Sequence, residues 1–429
     1  MTVFQRNKLL INFSSLSLIQ ATNFLLSIVV IPHLLRKIGA DGFGVVSLAQ
    51  VVMIYLSILT EYGFNQTATR DIAIARNSDR ENISLIFSSV FISKIIFCIC
   101  SFVLLLILLF TVPIFYDHMG VYLLGFSFVI GQTLLINWFF MGMEKMQYIA
   151  IPSLIGRVVF VILVFIFIKQ KSDSSLFLFF MGSGNIIAAL ISIYFAFRIY
   201  KLRIINPGRL RIGDEMRKGW PITIANFNVT TCQYAGLFIL RIFTNDLVVG
   251  YYSVAEKIFF AMKIMIGIFT QVAFPVVCRL MQTWRELISF FRRVYLPFLM
   301  LVIFCSGCVF ILSPQIIWLL VGENHAYAGF LLRMFCVALV IVCLNIPPNL
   351  ILLADDHRKK YLKIFSIGSA INLLANLILA YFFQATGTVI AVMITEVFIT
   401  GGLYWQMYRI YYLRLKENLP GRWCFWQWD

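Results

Sequence analysis

The chain has 429 residues, of which 61% are hydrophobic and only 13% are charged. Soluble domains carry about 25% charged residues, so this composition excludes an ordinary soluble protein and indicates a polytopic membrane protein. The net charge of +16 would suit nucleic-acid binding in a soluble chain. Its placement along the sequence decides between nucleic acid and membrane topology.

Twelve apolar runs in the sequence are long enough to cross a hydrocarbon core of about 30 Å as helices that rise about 1.5 Å per residue. The sequence therefore predicts an all-α polytopic membrane protein with about twelve transmembrane helices. The first run is too long for a signal peptide and lacks a small-residue cleavage end, so it is predicted to be retained as a helix. In chain order the predicted spans are 9–31, 43–63, 84–112, 120–141, 149–168, 176–197, 220–240, 248–276, 294–312, 328–353, 362–383 and 388–410.

The connections between these spans distribute their Lys and Arg residues unevenly. Alternate connections carry 25 on the side that holds both termini and five on the other side, namely Arg36, Lys37, Lys169, Lys171 and Arg241. By the positive-inside rule both termini are predicted to be cytoplasmic. The basic excess is therefore a topology signal, and no nucleic-acid partner is expected.

Cysteine and histidine give no sign of a disulfide framework or a metal site. Seven of the nine cysteines fall inside predicted spans, Cys278 lies two residues beyond the end of one, and Cys424 lies in the cytoplasmic tail. Cys305 and Cys308 have the CxxC spacing of redox and zinc sites but no second ligand pair, so packing is the preferred interpretation. The four histidines are scattered, and no bound metal is predicted.

The spans fall into two halves of six, separated by the basic connection "RIYKLRIINPGRLRIGDEMRKG". "FGVVSLAQ" (43–50) and "VGYYSVAE" (249–256) share three residues at an offset of 206, as a parallel internal repeat would require. Both halves then enter the membrane with the same orientation. The predicted domains are an N-terminal six-helix bundle (1–200), a cytoplasmic basic linker (201–219), a C-terminal six-helix bundle (220–411) and a cytoplasmic Trp-rich tail (412–429).

The first span of each half carries a polar stripe at 100° per residue, which includes Gln20 and Asn23 in one half and Asn226 in the other. Ordinary interhelical hydrogen bonding would explain either stripe alone. Because the stripe recurs in corresponding helices, a water-accessible inner surface is the preferred interpretation. Gln20, Asn23 and Asn226 are therefore candidate substrate-binding residues.

Ionised side chains fall inside several spans, where each costs roughly 2.5–3.5 kcal/mol on insertion scales. Snorkelling is an open alternative for Arg157 and Lys94. Glu256 and Lys263 share one helix face, and a compensating pair within that helix or with another helix is open for them. Cations outnumber anions, so the sequence predicts a positive cavity that suits an anionic, phosphate-bearing substrate. The intramembrane side chains that enter this count are Lys94, Arg157, Glu256, Lys257, Lys263 and Glu396.

Several stretches resemble one transporter family. They are "IPHLLRKIGADGFGVVSLAQ" (31–50), "TEYGFNQTATRDIA" (60–73), "INWFFMGMEKMQYIAI" (136–151) followed by "IGRVV", "VGYYSVAEKI" (249–258) and "TGTVIAVMITE" (386–396). The W-x-x-x-G-x-E-K-M-x-Y-I-A run is the most specific. Over nearly its whole length the chain resembles the O-antigen (Wzx-type) polysaccharide flippases of the multidrug/oligosaccharidyl-lipid/polysaccharide exporter superfamily.

This resemblance implies a transporter of two six-helix bundles in the bacterial cytoplasmic (inner) membrane, and not an enzyme. Similar proteins move undecaprenyl-pyrophosphate-linked oligosaccharide from the cytoplasmic to the periplasmic leaflet by alternating access, alongside other polysaccharide assembly proteins. Lys257 falls where relatives tend to carry a basic residue, whereas Lys94 and Lys263 rest on depth alone. Glu256 and Glu396 are the candidates for coupling to a proton or sodium gradient.

Two other functions stay open at this stage. A drug exporter of the same superfamily would favour an acidic cavity, which the excess of cations argues against. A membrane glycosyltransferase would need catalytic groups near the periplasmic face, but the longest external connection, 313–327, is short and half apolar. No G-x-x-x-x-G-K-[ST] phosphate loop occurs, so no ATP site or other cofactor is predicted. The tail "PGRWCFWQWD" suits an interfacial anchor or a partner-binding segment.

Overall fold

The computed structural model confirms the all-α class. All regular elements within its described ranges are helical, because a chain in lipid must satisfy its backbone hydrogen bonds within each segment. The structure describes residues 3–416 except 77–79, 282–283, 322–324 and 356, and it leaves undescribed the side chains of 3–28, 209–210, 232, 275, 284, 358–359 and 411–416. Of the predicted Trp-rich tail, residues 417–429 lie outside the described residues.

Packing divides the chain into two compact units, residues 1–230 and 231–429, and the division falls inside one helix, α9. The helices up to that point are α1 (Val3–Glu61), α2 (Phe64–Ala75), α3 (Arg80–Thr111), α4 (Pro113–Tyr116), α5 (Met119–Leu134), α6 (Asn137–Gly142), α7 (Gln147–Phe167), a 3₁₀ turn (Lys171–Asp173), α8 (Ser174–Tyr200) and α9 (Gly208–Phe243). The second unit continues with α10 (Asp246–Leu280), α11 (Trp284–Phe290), a π-helical turn (Phe291–Tyr295), α12 (Leu296–Ile311), α13 (Ser313–Val321), α14 (Ala326–Leu344), α15 (Ile346–Ala354) and α16 (Arg358–Lys416).

Two of these helices each contain a pair of predicted spans. α1 turns at Gly39, where φ is 76° and ψ is 174°, and α16 turns at Gln384, where φ is 53° and ψ is −133°. Both turns fall between predicted spans, so the pattern of apolar runs located them correctly. Within the described residues, nine helical segments are long and apolar enough to cross a membrane, and the longest of them include these turns. The twelve-helix, two-bundle layout and the side of the termini stay predictions.

In the first unit α8 is packed tightly between α5 and α7, because several residues at the contacts are glycines, which have no side chain. A Cβ on Gly182 would collide with Ser127 and Phe128 of α5, and one on Gly156 would collide with the backbone of Gly184. Small residues of this kind let membrane helices approach closely when water no longer drives their association.

The end of the first unit at which the basic linker begins holds an aromatic core. The predicted basic linker is fixed to this core at its start, since Ser84 and Ser88 of α3 accept hydrogen bonds from the backbone N–H groups of Arg203 and Ile205 at 3.2 and 2.9 Å. Residues 201–207 have no regular secondary structure, and α9 begins at Gly208. The buried members of the core include Phe64, Ile72, Phe87, Val90, Ile136, Trp138, Phe139, Phe140 and Leu202.

The second unit is built around α10 and α14. Phe259 of α10 stacks on Phe335 of α14 with ring centroids 4.9 Å apart, and the Ser306 hydroxyl of α12 donates to the Cys336 carbonyl of α14 at 2.8 Å. Two of the residues that suggested an internal repeat, Ser47 and Ser253, are both buried, at 3% and 0% exposed. Both hydroxyls also lack a hydrogen-bond partner among the described residues.

Candidate functional site

Three of the ionised side chains predicted to lie in the membrane belong to α10. Glu256 is 6% exposed, and Lys257, the next residue, is half-buried. Lys263 is two helical turns further along and half-buried, with its ammonium 5.6 Å from the centre of the Phe259 ring. α10 therefore presents both charge signs inside a spanning helix, where each must be compensated.

Lys263 is compensated from the last helix of the chain. Its Nζ lies 3.3 Å from Oε1 of Glu396 on α16, and Oε2 of the same carboxylate accepts a hydrogen bond from the Asn345 amide at 3.0 Å. Asn345 stands at the junction of α14 and α15, and its side-chain oxygen in turn accepts a hydrogen bond from Thr400. The structure therefore ties three spanning segments of the second unit together around one carboxylate.

Of the two forms of pairing left open for Lys263, the structure shows the interhelical one, because Lys263 of α10 pairs with Glu396 of α16. The Glu396 carboxylate has both oxygens engaged, so a coupling ion or proton would have to compete with the Lys263 ammonium. Displacement of the ammonium by an ion or a proton is therefore a reaction that this cluster can undergo.

We expect substitutions of Lys263 and Glu396 to have non-additive effects on the free energy of unfolding. Lys263→Met and Glu396→Gln should each destabilise the folded protein, whereas the double variant should recover on the order of 1 kcal/mol of the summed loss, because the pair is only partly exposed. Thermal unfolding of the four proteins in one detergent measures this coupling. Strictly additive losses would show that the two side chains do not interact.

Lys94 has a different environment from the α10 cations. It is 3% exposed on α3, and its Nζ donates to the carbonyl oxygens of Gln132 and Leu135 at 3.2 and 3.0 Å. Leu135 is extended, with ψ at 126°, so the helix is interrupted between α5 and α6. Carbonyls at such a break lose their helical N–H partners, and the ammonium replaces them.

A corresponding arrangement occurs in the second unit. The hydroxyl of Tyr295, which directly precedes α12, donates to the Cys343 carbonyl at 3.1 Å. Four residues after Cys343 stands Pro347, and proline has no N–H to offer that carbonyl. In each unit a side chain of one spanning segment thus donates a hydrogen bond to a backbone carbonyl oxygen at a helix break in another segment. The donor is Lys94 in the first unit and Tyr295 in the second. Lys94 was predicted to face substrate, and the structure instead places its ammonium against protein backbone.

Among the side chains that the structure describes, no contact within a unit brings the remaining predicted site residues together. Arg157 on α7 and Asn226 on α9 are both half-buried. Gln20 and Asn23 lie in the part of α1 whose side chains are outside the described residues. The sequence reasoning missed Asn345, Thr400 and Tyr295; the only signal for any of them was the Pro-Pro pair that follows Asn345 by two residues.

The motif most specific for the family resemblance lies at the end of the first unit that holds the aromatic core. Gly142 of α6 is pressed against Ile72 of α2, at a site where a Cβ would come within 2.7 Å of the Ile72 side chain. Arg76, just after α2, forms an ion pair of 2.6 Å with Glu144, which has a left-handed φ of 53°. The glycine and the glutamate of this motif therefore help to hold the two short helices α2 and α6 together.

Comparison with known proteins supports the family resemblance. The family described as "Polysaccharide biosynthesis protein" matches residues 9–281. The chain is 24% identical over 391 residues to a "Putative O-antigen transporter" of Escherichia coli (strain K12), covering 91% of this chain and 94% of that protein. It is 26% identical over 390 residues to a protein of the same description from Shigella dysenteriae, covering 90% and 97%.

Solved structures share the fold. A multidrug resistance MATE family transporter of the MOP superfamily, in an inward-facing conformation, matches with a TM-score of 0.71 at 15% identity, over 92% of this chain and 96% of that one. The lipid II flippase MurJ, in an inward closed conformation, matches with a TM-score of 0.67 at 14% identity, over 91% and 87%. At these identities the likeness shows the architecture alone. Together with the sequence matches, it confirms the resemblance inferred from the motifs.

Proposed function

Because the chain belongs to the polysaccharide biosynthesis protein family, we propose that this multi-pass membrane protein is a flippase for undecaprenyl-pyrophosphate-linked oligosaccharide. It would carry an O-antigen or similar repeat unit from the cytoplasmic to the periplasmic leaflet of the bacterial inner membrane. Full-length similarity to proteins described as O-antigen transporters supports this substrate class. Other polysaccharide assembly proteins would be its functional neighbours.

The observation that carries the proposal is the presence of Lys257 inside a spanning helix beside the buried Glu256. A cation at this depth is costly in lipid, and a phosphate that enters with the substrate would offset the cost through charge-assisted hydrogen bonds. We base substrate binding on Lys257, a half-buried cation of α10 that lies directly beside Glu256.

In this mechanism the pyrophosphate and sugar pass through a cationic cavity while the polyprenyl tail stays in lipid. Alternating access exposes the headgroup first to one side of the membrane and then to the other, so that a charged group never meets bare hydrocarbon. We propose that a proton or sodium gradient, acting through Glu256 or Glu396, or consumption of the product supplies the energy.

Transport in proteoliposomes tests the proposal. Wild type should translocate undecaprenyl-pyrophosphate-linked oligosaccharide, and Lys257→Ala should lose roughly ten- to a hundredfold in rate, as expected for a charged hydrogen bond worth about 1.5–3 kcal/mol. The matched control is Lys363→Ala, which removes an exposed lysine near the start of α16. It should transport at the wild-type rate.

The outcomes separate the competing functions. Equal rates for wild type and Lys257→Ala would keep the flippase and remove Lys257 from its site. No transport of several oligosaccharides by wild type, together with export of a cationic dye, would instead identify a drug exporter.

A further inference from the structure

Two connections between predicted spans of the first unit, which we call loops, lie side by side on the face opposite the basic linker. One is the stretch of α1 around its turn at Gly39, and the other joins α7 to α8. The His33 ring lies 4.3 Å from the Phe165 ring, and its Nε2 is 3.2 Å from the Ile168 carbonyl oxygen. Lys171 and Asp41 connect the same two loops at 3.8 Å. These contacts make the two loops one continuous surface.

This surface concentrates exposed cations, and we call it the outer basic patch: Arg36, Lys37, Lys169 and Lys171, all exposed. It contains four of the five Lys and Arg residues in the connections opposite the cytoplasmic side. The fifth, Arg241, is held by Asp246 through Nε at 2.6 Å and a second nitrogen at 3.3 Å. The excess of basic residues in the outward connections therefore belongs to the first unit.

The acidic groups within the patch do not neutralise it. Asp41 faces Lys171 across 3.8 Å while both side chains are at least half exposed, and exposed pairs of this kind are weak. Asp173 accepts hydrogen bonds from the backbone N–H groups of Lys169 and Gln170 at 3.0 and 3.1 Å. These bonds lower the pKa of the Asp173 carboxyl, whose role is to shape the loop. Four cations against two acids leave a net charge of +2.

The backbone conformation of Gly39 allows the Lys171 side chain to lie across the turn of α1. Its φ is 76°, and a Cβ at this position would lie 2.7 Å from an Asp41 carboxylate oxygen and 3.5 Å from Cε of Lys171. Only glycine adopts this conformation readily, and only glycine leaves this space open. The placement of Lys171 thus depends on the backbone of the neighbouring loop.

Basic residues in short outward loops oppose the topology that the rest of the chain specifies, so an interaction must favour keeping four of them together. We infer that the outer basic patch binds the diphosphate of the polyprenyl-linked product as its headgroup emerges on the outer leaflet. This inference rests on the proposed function. A terminally substituted diphosphate carries two negative charges in a compact group, which matches the net charge of the patch better than the single charge of a phospholipid phosphodiester.

Binding to purified protein in phosphatidylcholine nanodiscs tests the inference, with undecaprenyl diphosphate and phosphatidylglycerol as separate probes. Replacing Arg36, Lys37, Lys169 and Lys171 together by glutamine should weaken binding of undecaprenyl diphosphate at least about tenfold, given the contribution of each basic residue near a charged surface. The matched control replaces four exposed cytoplasmic cations, Lys201, Arg203, Lys360 and Lys363, and should bind as wild type does. The same loss is expected in a Lys257→Ala background.

Unchanged affinity for undecaprenyl diphosphate in the patch variant would overturn the inference. An equal loss for phosphatidylglycerol would overturn it as well, because the patch would then be a general anchor for anionic lipid. Failure of the proposed function would look different, since wild type would bind undecaprenyl diphosphate through the patch without translocating its oligosaccharide-linked form.

Discussion

Gly156→Leu is expected to prevent stable folding of the first unit. The backbones of Gly156 on α7 and Gly184 on α8 approach so closely that a Cβ on either residue would overlap a carbonyl oxygen of the other. A clash against backbone cannot be relieved by a rotamer change, so the helices must separate. We expect a loss of about 3 kcal/mol or more, at the upper end of overpacking costs. Thermal unfolding followed by size-exclusion chromatography in detergent measures it.

Gly307→Leu on α12 is the control for this substitution. No described atom lies within 4 Å of a Cβ built at Gly307, and leucine is the better helix former. This variant should unfold at the wild-type temperature or slightly above it. Equal stability of both variants would mean that α7 and α8 do not pack through their glycines.

The helices were predictable because their signal is local. Runs of apolar residues located the described spanning segments, and the interruptions at Gly39 and Gln384 fall where the predicted spans end. The break at Leu135 and Ile136 was not predicted, because neither proline nor glycine marks it. A backbone interruption of that kind is set by packing against other helices, which one sequence does not show.

The candidate site was predictable in its residue types but not in its pairings. Depth along a helix identified Lys94, Lys263 and Glu396 as intramembrane charges. It could not show that Lys263 meets Glu396, which is 133 residues away, or that Lys94 meets two carbonyls. Compensation of a buried charge depends on tertiary contacts, so helix periodicity offered only local partners such as Glu256.

Lys94→Met is expected to destabilise the protein strongly whatever substrate it carries. Methionine retains most of the apolar stem but leaves the carbonyl oxygens of Gln132 and Leu135 buried without their donor. An unsatisfied buried group costs about 1–3 kcal/mol, so the variant should lose roughly 2–6 kcal/mol and accumulate poorly in membranes. Lys94→Arg keeps a donor and should be the less damaging change.

The measurement separates a structural lysine from a substrate-binding one. Membrane abundance and thermal stability are compared with transport, each expressed per folded molecule. If Lys94 supports the helix break, stability should fall first and the surviving molecules should still bind undecaprenyl diphosphate. A stable Lys94→Met protein that fails to transport would instead return Lys94 to the substrate site. Because Tyr295 satisfies the corresponding break of the second unit, Tyr295→Phe should reproduce the loss of stability on a smaller scale, as removal of a neutral donor requires.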